Sequence, residues 1–195
     1  MPEELPYRRN WFPWRFTVLI SIGVNLLKAQ LADFTAEKLT FTVSAKTVEL
    51  TGSYFFTNRT DQSVQMPVIY PICINDQQAF PDSVTIHLAD GSPLTFRRRD
   101  DNLLFSVPLA EKGQTEIIIY FRQAVGQSQF EYILTSTRSW SKPLESADFL
   151  IQVPLTLNLT NLSFPYERID TTGNFQVYHL HFKDFYPDRN LTFEW

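Results

Sequence analysis

This sequence predicts an all-β fold: two antiparallel sheets packed as an Ig-like or jelly-roll-like β-sandwich of about ten strands. Three observations carry the prediction. Apolar and polar residues alternate with period two along most of residues 39–195, which sends one set of side chains into a core and the other into water. Turn signals such as Asp90-Gly91, Glu111-Lys112-Gly113 and Thr172-Gly173-Asn174 punctuate the alternation, several at the strand spacing of about 8–12 residues that marks all-β domains. Third, 17 Phe stand beside only 6 Gly in 195 residues, a bias toward extended, aromatic-packed chain. A closed β-barrel is the alternative way to bury the same faces.

Residues 1–30 stand apart from that pattern. Arg8, Arg9 and Arg15 precede the uncharged run 16–27, FTVLISIGVNLL, and Lys28 closes it. A basic stretch followed by about 7–15 apolar residues is the outline of a secretory signal, whereas a spanning helix needs roughly 20. Small residues are sparse at any cleavage site near residues 27–32, so an uncleaved signal anchor stands level with a cleaved signal peptide. Trp11, Phe12 and Trp14 would extend membrane contact over residues 11–27. Arg8-Arg9-Asn10-Trp11-Phe12 also has the shape of a twin-arginine motif, without the rest of that signal. A buried helix of the domain is the remaining reading. The charge changes sign at the boundary, from +2 over residues 1–30 to −6 over residues 31–195. We therefore expect an exported protein, periplasmic or membrane-anchored, with residues 31–195 as a single domain.

Within that domain, Leu39, Phe41, Val43 and Ala45 form the first inward series, and residues 33–38 before it are expected to make one helical turn at most. Residues 53–57 and 66–74 follow, the second at a sheet edge because Pro67 and Pro71 cannot donate to a ladder. Alternation then predicts strands at 84–88, 94–96, 103–109, 117–121, 130–134, 147–153, 155–159, 178–182 and 191–195. Phe41, Phe96, Phe105, Phe149 and Phe193 take inward positions on separate strands.

Chemistry is less legible. Seventeen Lys and Arg against 21 Asp and Glu argue against nucleic acid as a partner. A single cysteine excludes an intramolecular disulfide framework, and Cys73 in its apolar run reads as a small buried hydrophobe. There is no G-x-S-x-G elbow, P-loop or dinucleotide fingerprint, so no cofactor is expected. Ligand-binding candidates lie in loops. Trp140 between Arg138 and Lys142 either caps the sandwich or offers a stacking platform, and Tyr186 in a second aromatic loop would join it if both lie at one end. Arg97, Arg98 and Arg99 could hold an anion, although Asp100 and Asp101 follow at once and a solvated hairpin tip is the plainer reading. His179 and His181 share one face of a strand and could ligate a metal only if a third ligand came near. Four glycosylation-type triplets start at Asn58, Asn158, Asn161 and Asn190 and matter only in a eukaryotic secretory setting.

Tyr54-Phe55-Phe56-Thr57-Asn58 ends an early strand, Pro81-Asp82-Ser83-Val84 begins a middle one, and Phe130-Glu131-Tyr132-Ile133-Leu134-Thr135 leads into the loop from Trp140 to Pro143. In the order of these pieces, residues 39–195 resemble an uncharacterised family of bacterial extracytoplasmic all-β proteins that pair a signal sequence with a sandwich domain. The resemblance implies an envelope location, brings no chemistry and transfers no functional residue. The expected role is a non-catalytic binding or scaffolding module of the cell envelope, with an envelope protein or glycan as partner. Two alternatives stand beside it: a metal-dependent hydrolase using His179 and His181, and an assembly component that pairs through the edge strand at 66–74.

Overall fold

Alternation reaches further back than the sequence led us to expect. In a computed structural model describing residues 32–195, the first strand already begins at Ala32, so residues 33–38 are β-strand and not a helical turn. The signal or anchor expected in residues 1–30 and the membrane contact over 11–27 lie outside the described residues.

The strands are β1 (Ala32–Val43), β2 (Thr47–Asn58), β3 (Val64–Pro71), β4 (Ser83–Leu88), β5 (Arg97–Arg99), β6 (Asn102–Leu109) and β7 (Gln114–Ala124). After them come β8 (Gln129–Tyr132), a 3-10 helix (Thr135–Trp140), β9 (Leu144–Pro154), β10 (Asn161–Leu162), β11 (Arg168–Thr172), β12 (Phe175–Phe185) and β13 (Leu191–Glu194). One seven-stranded sheet has the order β11-β12-β9-β1-β2-β7-β4, and two three-stranded sheets have the orders β10-β13-β8 and β3-β6-β5. The all-β class is as predicted, but the plain two-sheet antiparallel sandwich is not what forms. The central strand β1 runs antiparallel to β2 and parallel to β9. The large sheet ends on β11 and β4, which do not pair with each other, so the sheet does not close into a barrel.

Both small sheets pack on one face of the large one, which buries a continuous core. Phe41 of β1 lies edge-on to Phe130 and Tyr132 of β8 and to Phe193 of β13, with centroids 5.5–5.9 Å apart. Tyr54 of β2 meets Tyr70 of β3 at 5.6 Å. Such edge contacts add about 0.5–1.5 kcal/mol per pair to the burial itself. Phe41, Phe105, Phe149 and Phe193 are buried as predicted. Phe96 is only half-buried and lies outside any strand, because residues 94–96 run beside β4 through a single bridge and never form a ladder. Residues 155–159 likewise leave the sheet: Leu155 is exposed and the chain turns after Pro154. The edge position predicted for the proline-bearing strand is found in β3, whose ladder partner is β6.

A β-bulge in β1 sets the geometry that matters most. Asp33 and Phe34 pair with Thr57 and Phe56, then the register slips and Ala36 pairs with Phe55. Thr35 is the extra residue, and its Oγ1 donates to the Phe55 carbonyl at 3.1 Å. The slip changes the inward parity from 32 and 34 to 37, 39, 41 and 43. Phe34 and Glu37 therefore both point into the core.

Candidate functional site

Glu37 is 2% exposed. It stands in a cross-sheet row between Ala147 of β9 and Tyr54 of β2, followed by Ile117 of β7. Above this row the small sheets leave a seam, where the edges β3 and β8 approach without backbone pairing. Tyr70 reaches in from β3 and Tyr132 from β8. Their hydroxyls meet at 3.1 Å, Tyr70 donating, and the Tyr54 hydroxyl bonds both, at 2.7 Å to Tyr70 and 2.9 Å to Tyr132. Beside them is a cavity of about 60 Å³ bounded by Glu37, the three tyrosines, Phe34 and Trp140, with exposed Ile69 and Ser136 at its edge. A single water needs roughly 10–15 Å³ by this measure, so the space takes a few water-sized groups.

The three tyrosine hydrogens are spent on one another. Each tyrosine has one hydroxyl hydrogen, and a closed ring of three hydroxyls uses all of them. None remains for Glu37 Oε1, which has no hydrogen-bond partner; among the described residues only Trp195 Nε1 shares that condition. Burial raises the Glu37 carboxyl to about 8, because a charge removed from water favours its neutral form. Burial also drives Tyr54, Tyr70 and Tyr132 upward, so the ring stays protonated at every ordinary pH. The site at neutral pH is a neutral acid beside three neutral phenols.

Gly52 makes room for this arrangement. The Tyr54 ring leans back along β2, and a Cβ at position 52 would lie 2.6 Å from Tyr54 Oη. Gly52→Ala must move that ring and break the hydroxyl triangle. The expected cost is about 1–3 kcal/mol in urea unfolding. Made in a Tyr54→Phe background, the same substitution should cost less, because the hydrogen bonds of the triangle are already gone and only the clash with ring carbons Cε2 and Cζ, at 2.7 and 2.8 Å, remains. Equal costs in the two backgrounds would show that the ring, and not the triangle, absorbs the clash.

The residues singled out in the sequence fall around this site and away from it. Trp140 is half-buried and packs on Phe34 and Phe56, with centroids 5.8 and 5.7 Å away, as one wall of the cavity. Arg138, on the same 3-10 helix, lies 5.1 Å over the exposed Tyr186 ring, so the two loops do share one end. Asn190 ties them: its Oδ1 accepts from the Leu134 and Thr135 amides and the Thr135 hydroxyl. Lys142 Nζ donates to buried Asp33 at 2.9 Å, and Arg59 Nε donates to the same carboxylate at 2.8 Å. Burial alone would raise Asp33, but these two cations outweigh it and hold the carboxyl below its usual range.

Arg97, Arg98 and Arg99 form the exposed strand β5 at a hairpin tip, away from the cavity, with Arg98 stacked 3.6 Å over Phe80. His179 and His181 lie on the outer face of the large sheet, each engaged by a different carboxylate: His179 Nε2 by Asp170 at 3.0 Å and His181 Nδ1 by Asp148 at 2.6 Å. Among the described residues no three His, Cys, Asp or Glu side chains come together in a way that could hold a metal. Cys73 is half-buried, and burial followed by the nearby Glu131 raises its thiol to about 11, far from a reactive thiolate. Asn58 is buried, with its amide donating to the Gln62 and Ala110 carbonyls, which leaves no room for a glycan.

Sequence reasoning missed Glu37 and its tyrosines. Two signals were present: Glu37 extends the inward parity of Leu39, Phe41 and Val43, and a glycine inside a strand two residues before Tyr54 marks close approach.

No protein family and no curated protein matches this chain. Among solved structures, it is similar to a "putative nutrient binding protein" from Legionella pneumophila, at 11% identity and a TM-score of 0.64, over 84% of this chain and 66% of that one. It is also similar to an M1 zinc metallopeptidase from Deinococcus radiodurans, at 9% identity and a TM-score of 0.52, over 84% of this chain and 42% of that one. The likeness is one of fold. This chain spans just under two thirds of the first protein's length and about two fifths of the second's.

Proposed function

We propose that this chain is a non-catalytic binding module of the bacterial cell envelope, with the cavity over Glu37 as its recognition site. One observation carries the reading: a fully buried carboxyl with an unpartnered oxygen faces a cavity that has an edge at the surface. A buried polar atom without a partner costs about 1–3 kcal/mol, and a bound polar group removes that cost. Arg138, on the helix that walls the cavity, and Tyr186, in the loop after β12, offer the rim on which an envelope protein or glycan would dock. Fold likeness to a protein described as nutrient-binding is compatible with this role. The histidines lend no support to hydrolysis, since each is occupied by its own carboxylate on the opposite face.

The test is a thermal-shift panel of small polar compounds (methylammonium chloride, acetamide, urea, acetate and glycerol) on wild type and on Val68→Phe, which fills the cavity from β3. At least one compound should raise the wild-type midpoint by several degrees and leave the filled variant unmoved. A panel without any cavity-dependent shift overturns the reading. The envelope assignment has a separate check: full-length, soluble protein recovered from the cytosol would refute it.

A further inference from the structure

We infer that the cavity over Glu37 is a site for a primary ammonium group, on a small alkylamine or at the end of a longer molecule, with Glu37 as its counter-ion. This names the ligand class of the site proposed above and rests on that proposal.

Three features of the lining select this chemistry. First, the lining has one ionisable acid and not a single basic side chain, so any charged group that enters must be positive. Second, seven of the lining side chains are aromatic, among them Phe34, Tyr54, Tyr70, Tyr132 and Trp140, and ring faces attract cations most strongly when water is excluded. Third, the acceptors suit three N–H donors. Glu37 Oε1 is unpartnered, and each tyrosine oxygen in the closed ring keeps one lone pair unused. An ammonium headgroup brings three donors and no acceptor. A quaternary ammonium brings none, so it would leave Glu37 Oε1 without a hydrogen bond. A bare metal ion would meet one carboxyl and phenols that stay protonated, a poor oxygen set for any hard cation.

Binding is coupled to a proton. The neutral Glu37 carboxyl loses its hydrogen as the cation enters, so one alkylammonium is taken up and one proton is released to solvent, with charge balanced. Affinity must therefore climb with pH by roughly tenfold per unit while Glu37 is protonated in the free protein, and level off once it is ionised.

The experiment is calorimetric titration of the folded chain with methylammonium chloride at pH 6, 7 and 9, in two buffers of different ionisation enthalpy, with sodium chloride holding ionic strength constant. Tetramethylammonium chloride, a cation without N–H donors, is the control. The expected result is methylammonium binding with about one proton released at pH 7, roughly tenfold tighter there than at pH 6, and loss of binding in Glu37→Gln. Binding that is independent of pH, equal for tetramethylammonium, retained by Glu37→Gln, or absent overturns the inference. If Glu37→Gln does not fold, the wild-type pH series alone decides. Should methylammonium fail while another compound of the panel gives a cavity-dependent shift, the ammonium assignment falls and the binding module stands.

Discussion

Glu37→Gln raises the melting temperature at pH 8.5 by roughly 10 °C and leaves it nearly unchanged at pH 4. The sign follows from the shift. Glu37 titrates at about 8 in the folded chain, against 4.5 for an unperturbed glutamate. Below the lower value both states hold the proton and Glu37 contributes no pH dependence. Between the two values the unfolded chain loses the proton while the folded chain keeps it, so stability falls as pH rises. Above about 8 the loss is complete, on the order of 3–5 kcal/mol. Glutamine keeps the shape and never ionises, so the wild-type and variant unfolding curves should converge in acid and separate in base. Asp33 runs the other way: its lowered carboxyl contributes stability that is lost only as pH drops below the usual aspartate range. The wild-type optimum is therefore expected on the acid side of neutrality, and a flat wild-type profile from pH 5 to pH 8.5 would contradict the burial of Glu37.

Trp140→Ala should cost about 3 kcal/mol in urea unfolding, while Arg138→Ala stays within about 0.5 kcal/mol. The contrast separates a wall from a platform. Trp140 packs at a tilt against Phe34 and Phe56 and bounds the cavity, so truncation removes packing on both and opens the site to water. Arg138 touches the exposed face of Tyr186 and supports nothing beneath it. Equal, small effects at both positions would mean that the indole is a free surface group.

Much of the fold could be read from parity alone. Phe41, Phe105, Phe149 and Phe193 were placed in the core because period-two alternation is regular in β1 after its bulge, in β6 and β9, and even in the short β13. Pro67 and Pro71 marked β3 as an edge for a chemical reason that holds wherever the strand lies. The failures are as physical. Residues 33–38 looked unlike a strand because the bulge at Thr35 breaks the alternation, and the same bulge turns Glu37 inward. Residues 155–159 alternate well, yet they follow Pro154 at the end of β9 and find no ladder. β10 has only two residues, and β11, with the sequence RIDTT, is exposed along nearly its whole length and has no apolar face to alternate. As for the site, its four polar members come from β1, β2, β3 and β8, and no local spacing foretells that Tyr70 and Tyr132 meet across a seam. That loops bearing Arg138 and Tyr186 share one end was legible only as a condition, which the structure meets.

The parallel pairing of β1 with β9 sets an order on how this molecule can be made. β1 finds β2 through a three-residue turn, but its other neighbour lies about a hundred residues further along, with Leu39 opposite Phe149. Non-local pairing of this kind is slow to form. Until residues 144–154 arrive, a growing chain holds its central strand as an open edge, with unpaired backbone donors and acceptors along one side. Such an edge invites pairing with a second chain. Synthesis and folding of this protein are thus most exposed to aggregation in the interval between completing β7 and completing β9, while one side of β1 is still unpaired.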